Sequence, residues 1–231
     1  MSSTGIRCGF WSSIIILISG VGLAGGILAS SLFLPAVLTT EWKGIGPYAD
    51  AYRTTGGIIT SLSFLAALIS CPAYVLQVAS IHSLDQRAIG TTGKFGLVSA
   101  VIFAVLAGLN YIVQLTVVRI GILAGETDGI EWLVFQNPSS LMLELDFIGW
   151  FFLGLAFISV VPLFKKGRLS RAIRYLLVGN AFVGTILLCS LFVPYLMIGQ
   201  VLLIMMSVLL TCVDILLLLF FWRLLQSPMV L

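Results

Sequence analysis

Six long apolar stretches dominate this chain and limit what it can fold into. A helix needs about 20 apolar residues to cross the hydrocarbon core of a bilayer, and each stretch meets that length. Only 9% of the 231 residues are charged, against roughly 25% in soluble domains. The sequence therefore predicts a single all-α domain, a six-transmembrane-helix bundle. Its predicted spans cover about residues 11–38, 57–84, 95–124, 140–164, 172–197 and 198–224.

Two of these stretches allow another interpretation. Arg7 precedes the first stretch, as in a secretory signal, but the hydrophobic part of a signal covers only about 7–15 residues. We therefore predict a retained first helix. Pro194 and Gly199 bracket an uncharged turn between the last two stretches. A single bent passage there would greatly exceed the bilayer thickness, so six spans fit better than five.

The basic residues predict the orientation of the six spans. Lysine and arginine are enriched in the cytoplasmic loops of membrane proteins. Nine of the twelve lysines and arginines of this chain lie on the side of the predicted bundle that carries both termini. We therefore predict that both termini are cytoplasmic. The cluster Lys165 to Arg174 is compatible with anionic membrane lipids as partners and with simple control of topology. The nine residues are Arg7, Arg87, Lys94, Lys165, Lys166, Arg168, Arg171, Arg174 and Arg223.

The segments on the other side of the predicted membrane contain more than simple connections. Trp132, Leu133 and Phe135 predict a short interfacial segment between the third and fourth spans. The sequence Asn137-Pro138-Ser139-Ser140 has the turn and N-cap chemistry expected at the start of a helix.

Four ionisable residues lie inside the predicted spans, where charge is costly and such residues are candidates for function. Arg119 and the carboxylates Glu144 and Asp146 have similar predicted depths on sequential antiparallel spans, which predicts an ion pair between Arg119 and one carboxylate. Such a pair serves either as a polar site for a ligand or proton, or only as a link between helices. Asp214 in the sixth span is the fourth residue, and its predicted partner is Asn180 in the fifth.

A central polar group completes the candidate site. Asn110 and Gln114 are four residues apart in the third span and are predicted to share a helix face with partners across an interface. They serve either as polar contacts between helices or, with Tyr111, as the lining of a pocket. The candidate ligand-binding residues are Asn110, Tyr111, Gln114, Arg119 and Glu144, and the candidate acid–base residues are Glu144, Asp146 and Asp214.

Other features restrict partners and cofactors. Gly22 and Gly26 in the first span allow close helix approach, either within the chain or in a homo-oligomer. Four scattered cysteines and a single histidine predict no disulfide framework, no metal site and no haem cofactor. The sequence contains no signature of a nucleotide-binding or hydrolytic enzyme and gives no indication of nucleic-acid binding.

Several motifs resemble a family of small bacterial and archaeal multi-pass membrane proteins of unknown function. The likeness covers about residues 105–182 and implies a prokaryotic protein of the cell membrane, the inner membrane where there are two. It includes Asn110, Gln114, Asn137 and Glu144 and implies no reaction or ligand. The motifs are Gly108-Leu-Asn-Tyr-x-x-Gln-Leu-Thr-Val-Val, Gln136-Asn-Pro-Ser-Ser, Glu144-x-x-x-x-Gly149-Trp150-x-x-x-Gly154 and Arg168-Leu-x-Arg171-x-Ile-Arg174.

Three functions remain compatible with these residues. The favoured hypothesis is a carrier, a protein that binds a lipophilic small molecule, or an accessory membrane subunit. A membrane-embedded enzyme would instead use the intramembrane carboxylates as general acid or base on a lipophilic substrate. In a purely structural membrane protein, every buried polar residue would only hold helices together. A continuous polar path between the layers of Glu144 and Asp214 would favour transport.

Overall fold

The computed structural model describes residues 3–33, 42–192 and 196–227, and within them the chain is mostly helical, with no strand. Two 3₁₀ turns, at Ile130–Leu133 and Val161–Leu163, flank α6. A π-helical segment, Gln114–Val118, joins α4 to α5. The eight α-helices are α1 (Ser3–Phe33), α2 (Ile45–Tyr52), α3 (Thr55–Leu84), α4 (Gln86–Val113), α5 (Arg119–Ala124), α6 (Leu141–Val160), α7 (Arg168–Ser190) and α8 (Leu196–Leu225).

Six helical segments in these ranges are long and apolar enough to cross a membrane, as predicted. The third of them combines α4 after a break at Gly90 with the π-helical segment and α5. The other boundaries differ from the prediction by up to eight residues. Helix α1 begins at Ser3 instead of Trp11, and Leu196 and Met197 begin α8 instead of ending the fifth span. The predicted end of the first span, near residue 38, and Pro194 lie outside the described residues.

The six long helices form a closed ring. Each packs along two neighbours, in the order α1, α3, α4, α6, α7, α8 and back to α1. The circle of helices closes near the start of α1 and the end of α8. There the aromatic rings of Phe10 and Trp222 have centroids 5.7 Å apart. We call this the terminal end of the bundle. Inside the ring, Tyr74 of α3 makes edge-to-face contacts with Phe103 of α4 and Phe157 of α6. The interior is thus filled by aromatic and aliphatic side chains.

Close packing of α1 against α3 uses the small residues of the first span. A side chain at Gly26 would overlap Ser63 of α3, and a Cβ at Gly22 would lie 3.1 Å from Ala66. Both glycines therefore serve contacts within the chain, one of the two predicted uses. Association of two copies through them stays a prediction.

The opposite end of the bundle carries a small folded cap, formed by residues 42–54 and 125–140. It has its own apolar cluster, in which Tyr48 and Tyr52 of α2 pack with Val118, Ile122 and Val134. Arg53 binds the cap to α5 by donating from Nε to the carbonyl of Ile122 at 3.1 Å. The cap is therefore an ordered cover over one end of the ring.

The predicted helix start after Asn137 is confirmed. Ser140 is the N-cap of α6, and its hydroxyl accepts a hydrogen bond from the Met142 amide at 3.1 Å. The Asn137 side chain accepts from the Ser139 amide and donates to the carbonyl of Glu131 at 2.7 Å. The short segment predicted around Trp132 is the first 3₁₀ turn, with the indole 57% exposed.

Candidate functional site

Two buried carboxyl groups mark the polar interior of the ring. The first, Asp146 of α6, is 2% exposed. One of its oxygens accepts a hydrogen bond from Asn110 Nδ2 at 3.2 Å, and the other accepts from Trp150 Nε1 at 2.7 Å. The Tyr111 hydroxyl also interacts with this carboxyl. We call Asp146, Asn110, Tyr111, Gln114 and Trp150 the cap-side cluster.

Gln114 connects the cap-side cluster to the cap. Its Nε2 donates to the Leu133 carbonyl at 2.6 Å and to Asn110 Oδ1 at 3.4 Å. Its Oε1 accepts from the Phe135 amide at 3.1 Å. The prediction that Asn110 and Gln114 share a face is confirmed, and the π-helical segment begins at Gln114 itself. Such segments are frequent at functional sites, because the wider turn changes the direction of side chains.

The predicted ion pair of Arg119 with a carboxylate is wrong. Both Arg119 and Glu144 are exposed, and Asp146 is bound by uncharged donors instead. Glu144 lies in the first turn of α6. Arg119 is close enough to Tyr52 of the cap for electrostatic interaction. On the cap, Arg53 forms a side-chain ion pair with Asp50 at 3.2 Å.

The second buried carboxyl group is that of Asp214 in α8, which is 2% exposed. Gln77 Nε2 donates to one of its oxygens at 3.0 Å, and the Tyr74 hydroxyl donates to the other at 3.2 Å. Gln77 Nε2 also donates to Ser13 Oγ of α1 at 3.1 Å. We call Asp214, Gln77, Tyr74 and Ser13 the terminal-side cluster. It joins α1, α3 and α8 across the inside of the ring.

The predicted hydrogen bond between Asn180 and Asp214 is wrong. Asn180 of α7 is fully buried, yet neither its Nδ2 nor its Oδ1 has a hydrogen-bond partner among the described residues. Asp214 takes its partners from α3 instead, since α3 faces it across the ring. Equal predicted depth in the membrane was therefore insufficient to identify the pairs.

Cys71 of α3 lies between the two clusters. Its thiol donates to the Ala67 carbonyl at 3.4 Å and is close enough to Asp146 for electrostatic interaction. The same holds between Cys71 and the hydroxyls of Tyr74 and Tyr111. The hydrogen bond of the thiol goes to its own helix, so among the described residues the two clusters are separate hydrogen-bonded groups.

A groove of about 680 Å³ runs along the outer side of α3 and α4. Cys71 is its one strongly buried polar residue, and exposed aliphatic residues such as Leu76 and Val105 form its rims. Ala104 and Gly108 leave room between the helices, because a Cβ at Gly108 would meet only Leu68 Cδ1, at 3.8 Å. The lining residues are Leu68, Cys71, Pro72, Val75, Leu76, Val101, Ala104, Val105, Gly108, Leu109 and Ile112.

Sequence reasoning missed most of the terminal-side cluster. Gln77, Tyr74 and Ser13 are essential parts of it, but only Asp214 was predicted. An amide side chain within an apolar span is the signal that could have identified Gln77, because it needs a partner inside a membrane. Trp150 was similarly overlooked as a donor to Asp146.

Comparison of the chain with protein-family models, curated proteins and solved structures gave no match. The resemblance to a prokaryotic family therefore stays a prediction, and the site has to be interpreted from its own chemistry.

Proposed function

We propose that this protein binds a lipophilic molecule in the groove between α3 and α4 and acts as a membrane carrier or accessory protein. The groove itself is the main observation. Its volume of about 680 Å³ lies within the range of roughly 300–1,000 Å³ that is common for small-molecule sites. Its walls lie in the middle of two helices long and apolar enough to span a bilayer, so an apolar ligand could enter from the membrane itself.

The shape of the groove follows from its sequence. Pro72 lacks the amide hydrogen that would bind the carbonyl of Leu68, which loosens the wall of α3 at this level. Opposite it, Ala104 and Gly108 supply almost no side chain. Both features lie at the depth where an acyl or isoprenoid chain would contact the protein. Their coincidence supports a binding site over a simple defect of packing.

The floor of the groove supplies a polar contact. Cys71 lines the groove and interacts with Asp146 and Tyr111 behind it. Small-molecule sites commonly combine apolar walls with a few polar groups that fix orientation. The preferred ligand is therefore an apolar chain or ring with a single polar group near its middle or end.

The same geometry supports binding over acid–base catalysis. Both oxygens of Asp146 already accept hydrogen bonds from neighbouring side chains. Glu144 is exposed at the start of α6, and Asp214 belongs to a different cluster. An enzyme would need one of these carboxyls in contact with the substrate.

The test is to fill the groove and measure the bound lipophile. The protein would be extracted with its surrounding lipid, and the co-purifying molecules would be quantified by mass spectrometry against bulk membrane lipid. Gly108→Leu places a side chain in the groove. Gly179→Leu is the matched control, because α7 leaves open space beside Gly179.

We expect an enriched lipophile in the wild type and in Gly179→Leu and its loss in Gly108→Leu. Equal enrichment in all three proteins, or none in the wild type, would overturn the proposal. Photocrosslinking with an alkyl diazirine lipid probe should label α3 and α4 near Cys71. Labelling spread evenly over the six helices would argue for ordinary lipid contact.

The proposed location is the cell membrane of a prokaryote, with both termini in the cytoplasm. The basic residues near the terminal end support this orientation. A fluorescent protein that matures only in the cytoplasm should be bright when fused after Leu231. Alkaline phosphatase at the same site should be inactive, and the opposite pair of results would reverse the orientation.

A further inference from the structure

Arg119 is a cation that the bundle exposes within one of its membrane-spanning segments. It lies five residues before the end of the third segment, Gly90–Ala124, which is a depth of about 7–8 Å below the cap end of that segment. Its side chain is exposed, and its guanidinium has no hydrogen-bond or ion-pair partner among the described residues. A cation at this depth is costly unless it reaches the polar boundary or a charged partner. Its side chain is long enough to reach the level of lipid headgroups.

The groove between α3 and α4 leads towards Arg119 along the same segment. On α4, Ala104, Gly108 and Ile112 line the groove at the spacing of one helix face. Arg119 follows Ile112 by seven residues, which places it about 10 Å further towards the cap. The π-helical segment between them packs against α3, and α5 packs against α2. The arginine therefore lies on the segment that continues the groove wall towards the cap.

The other wall of the groove reaches the same level at Ser61 of α3. Ser61 precedes Leu68 by seven residues, so it continues the groove face of α3 by about 10 Å towards the cap. Its hydroxyl lies 2.9 Å from that of Tyr52. Tyr52 packs in the same apolar cluster as Val118, the residue before Arg119. These contacts bring the two walls together beside Arg119, and the electrostatic interaction of Arg119 with Tyr52 agrees with this placement.

An apolar groove that leads to an unpaired arginine matches a lipid with an anionic headgroup. The residues that line the groove include no charged side chain, so the charged part of a ligand belongs outside it. A guanidinium group binds phosphate oxygens through two parallel N–H donors. A neutral lipophile would fill the groove equally well but would leave Arg119 without a partner. Free phosphate shares the chemistry of the headgroup but would gain nothing from the groove.

We propose that the ligand of the groove is an anionic lipid, whose chain occupies the groove and whose phosphate pairs with Arg119. This inference rests on the proposed function, because it names the chemical class of the lipophile that fills the same groove. It places the polar group at the end of the ligand that lies nearer the cap. Both parts contribute to affinity, so neither the chain nor the phosphate alone is sufficient for tight binding.

The test measures the binding of three probes to the purified full chain in detergent, by native mass spectrometry. The probes are dioleoyl phosphatidic acid, dioleoylglycerol, which has the same chains without the phosphate, and inorganic phosphate. The wild type should bind phosphatidic acid about 10- to 100-fold more tightly than dioleoylglycerol, as expected for a hydrogen bond between charged groups. Inorganic phosphate should not displace the phosphatidic acid.

Three variants separate the headgroup from the chain. Arg119→Gln should abolish the preference for phosphatidic acid and retain the weaker binding of both lipids. Gly108→Leu, which fills the groove, should lose both lipids. Lys43→Gln is the matched control, because it removes an exposed positive charge from the cap at the same end of the bundle and should bind both lipids like the wild type.

Circular dichroism and size-exclusion chromatography would establish that each variant is folded, and the comparison of the two lipids in the wild type needs no variant. Equal, measurable affinities for both lipids in the wild type, or an unchanged preference in folded Arg119→Gln, would overturn this inference and leave the proposed function intact. Displacement of phosphatidic acid by inorganic phosphate would also overturn it, by revealing an anion site that ignores the chain. No binding of either lipid to the wild type, or full binding to Gly108→Leu, would overturn the proposed function itself.

Discussion

Gln114 gives the clearest quantitative prediction, because one side chain holds the cap to the ring. Its amide pairs with the carbonyl of Leu133 at 2.6 Å and with the amide of Phe135 at 3.1 Å. In Gln114→Leu, a side chain of similar size would occupy the space without forming either bond. Two partly buried backbone groups would then lose this partner.

The expected magnitude follows from those two groups. An unsatisfied buried donor or acceptor costs about 1–3 kcal/mol. Partial relaxation of the cap towards water reduces the total, so we expect a loss of about 2–4 kcal/mol in the free energy of cap opening. At about 1.4 kcal/mol for each factor of ten, the open population should rise about 30- to 700-fold.

Hydrogen exchange followed by mass spectrometry measures this opening directly. Amides of residues 130–136 should exchange faster by that factor in Gln114→Leu, with no comparable change in α7. Thr116→Val is the control in the same π-helical segment, because the Thr116 hydroxyl bonds only to the Ile112 carbonyl of its own helix. Wild-type protection of residues 130–136 in Gln114→Leu would refute the argument, as would an equal effect of Thr116→Val.

Three further predictions concern other parts of the molecule. Asn180→Leu should raise the free energy of unfolding by about 1–3 kcal/mol, and with it the midpoint of thermal unfolding, because both amide atoms are buried without a partner among the described residues; a lower midpoint would reveal a partner for the amide. Gly26→Ala should destabilise the packing of α1 on α3 by about 1–3 kcal/mol, whereas Gly25→Ala, which meets open space, should be harmless in the same thermal assay. Burial raises the pKa of Tyr48 well above its ordinary value of 10.0, so its contribution to cap stability is complete below pH 10 and is lost as the pH rises towards the higher value. Emission of Trp42, whose ring lies 5.7 Å from that of Tyr48, should report this loosening in a variant that retains Trp42 alone. Tyr48→Phe should reduce the alkaline change to the part contributed by Tyr52, whose pKa burial also raises.

The sequence determined the class of this protein because membrane spans are a local property. Twenty apolar residues predict a crossing whatever their partners are, so the six long helices were found with modest errors at their ends. The start of α6 was equally local, since Ser140 caps the helix through an amide two residues away. The shared face of Asn110 and Gln114 follows from helical periodicity in the same way.

Only the tertiary structure decided which polar groups meet. The depth of a residue along its helix can be counted from the sequence, but its direction around the ring depends on which helices are neighbours. Depth suggested pairing Arg119 with either Glu144 or Asp146, and Asp214 with Asn180. The ring instead presents Asn110 and Trp150 to Asp146, and Gln77 and Tyr74 to Asp214. Long-range contacts of this kind reflect the packing of whole helices, which no short segment of the sequence contains.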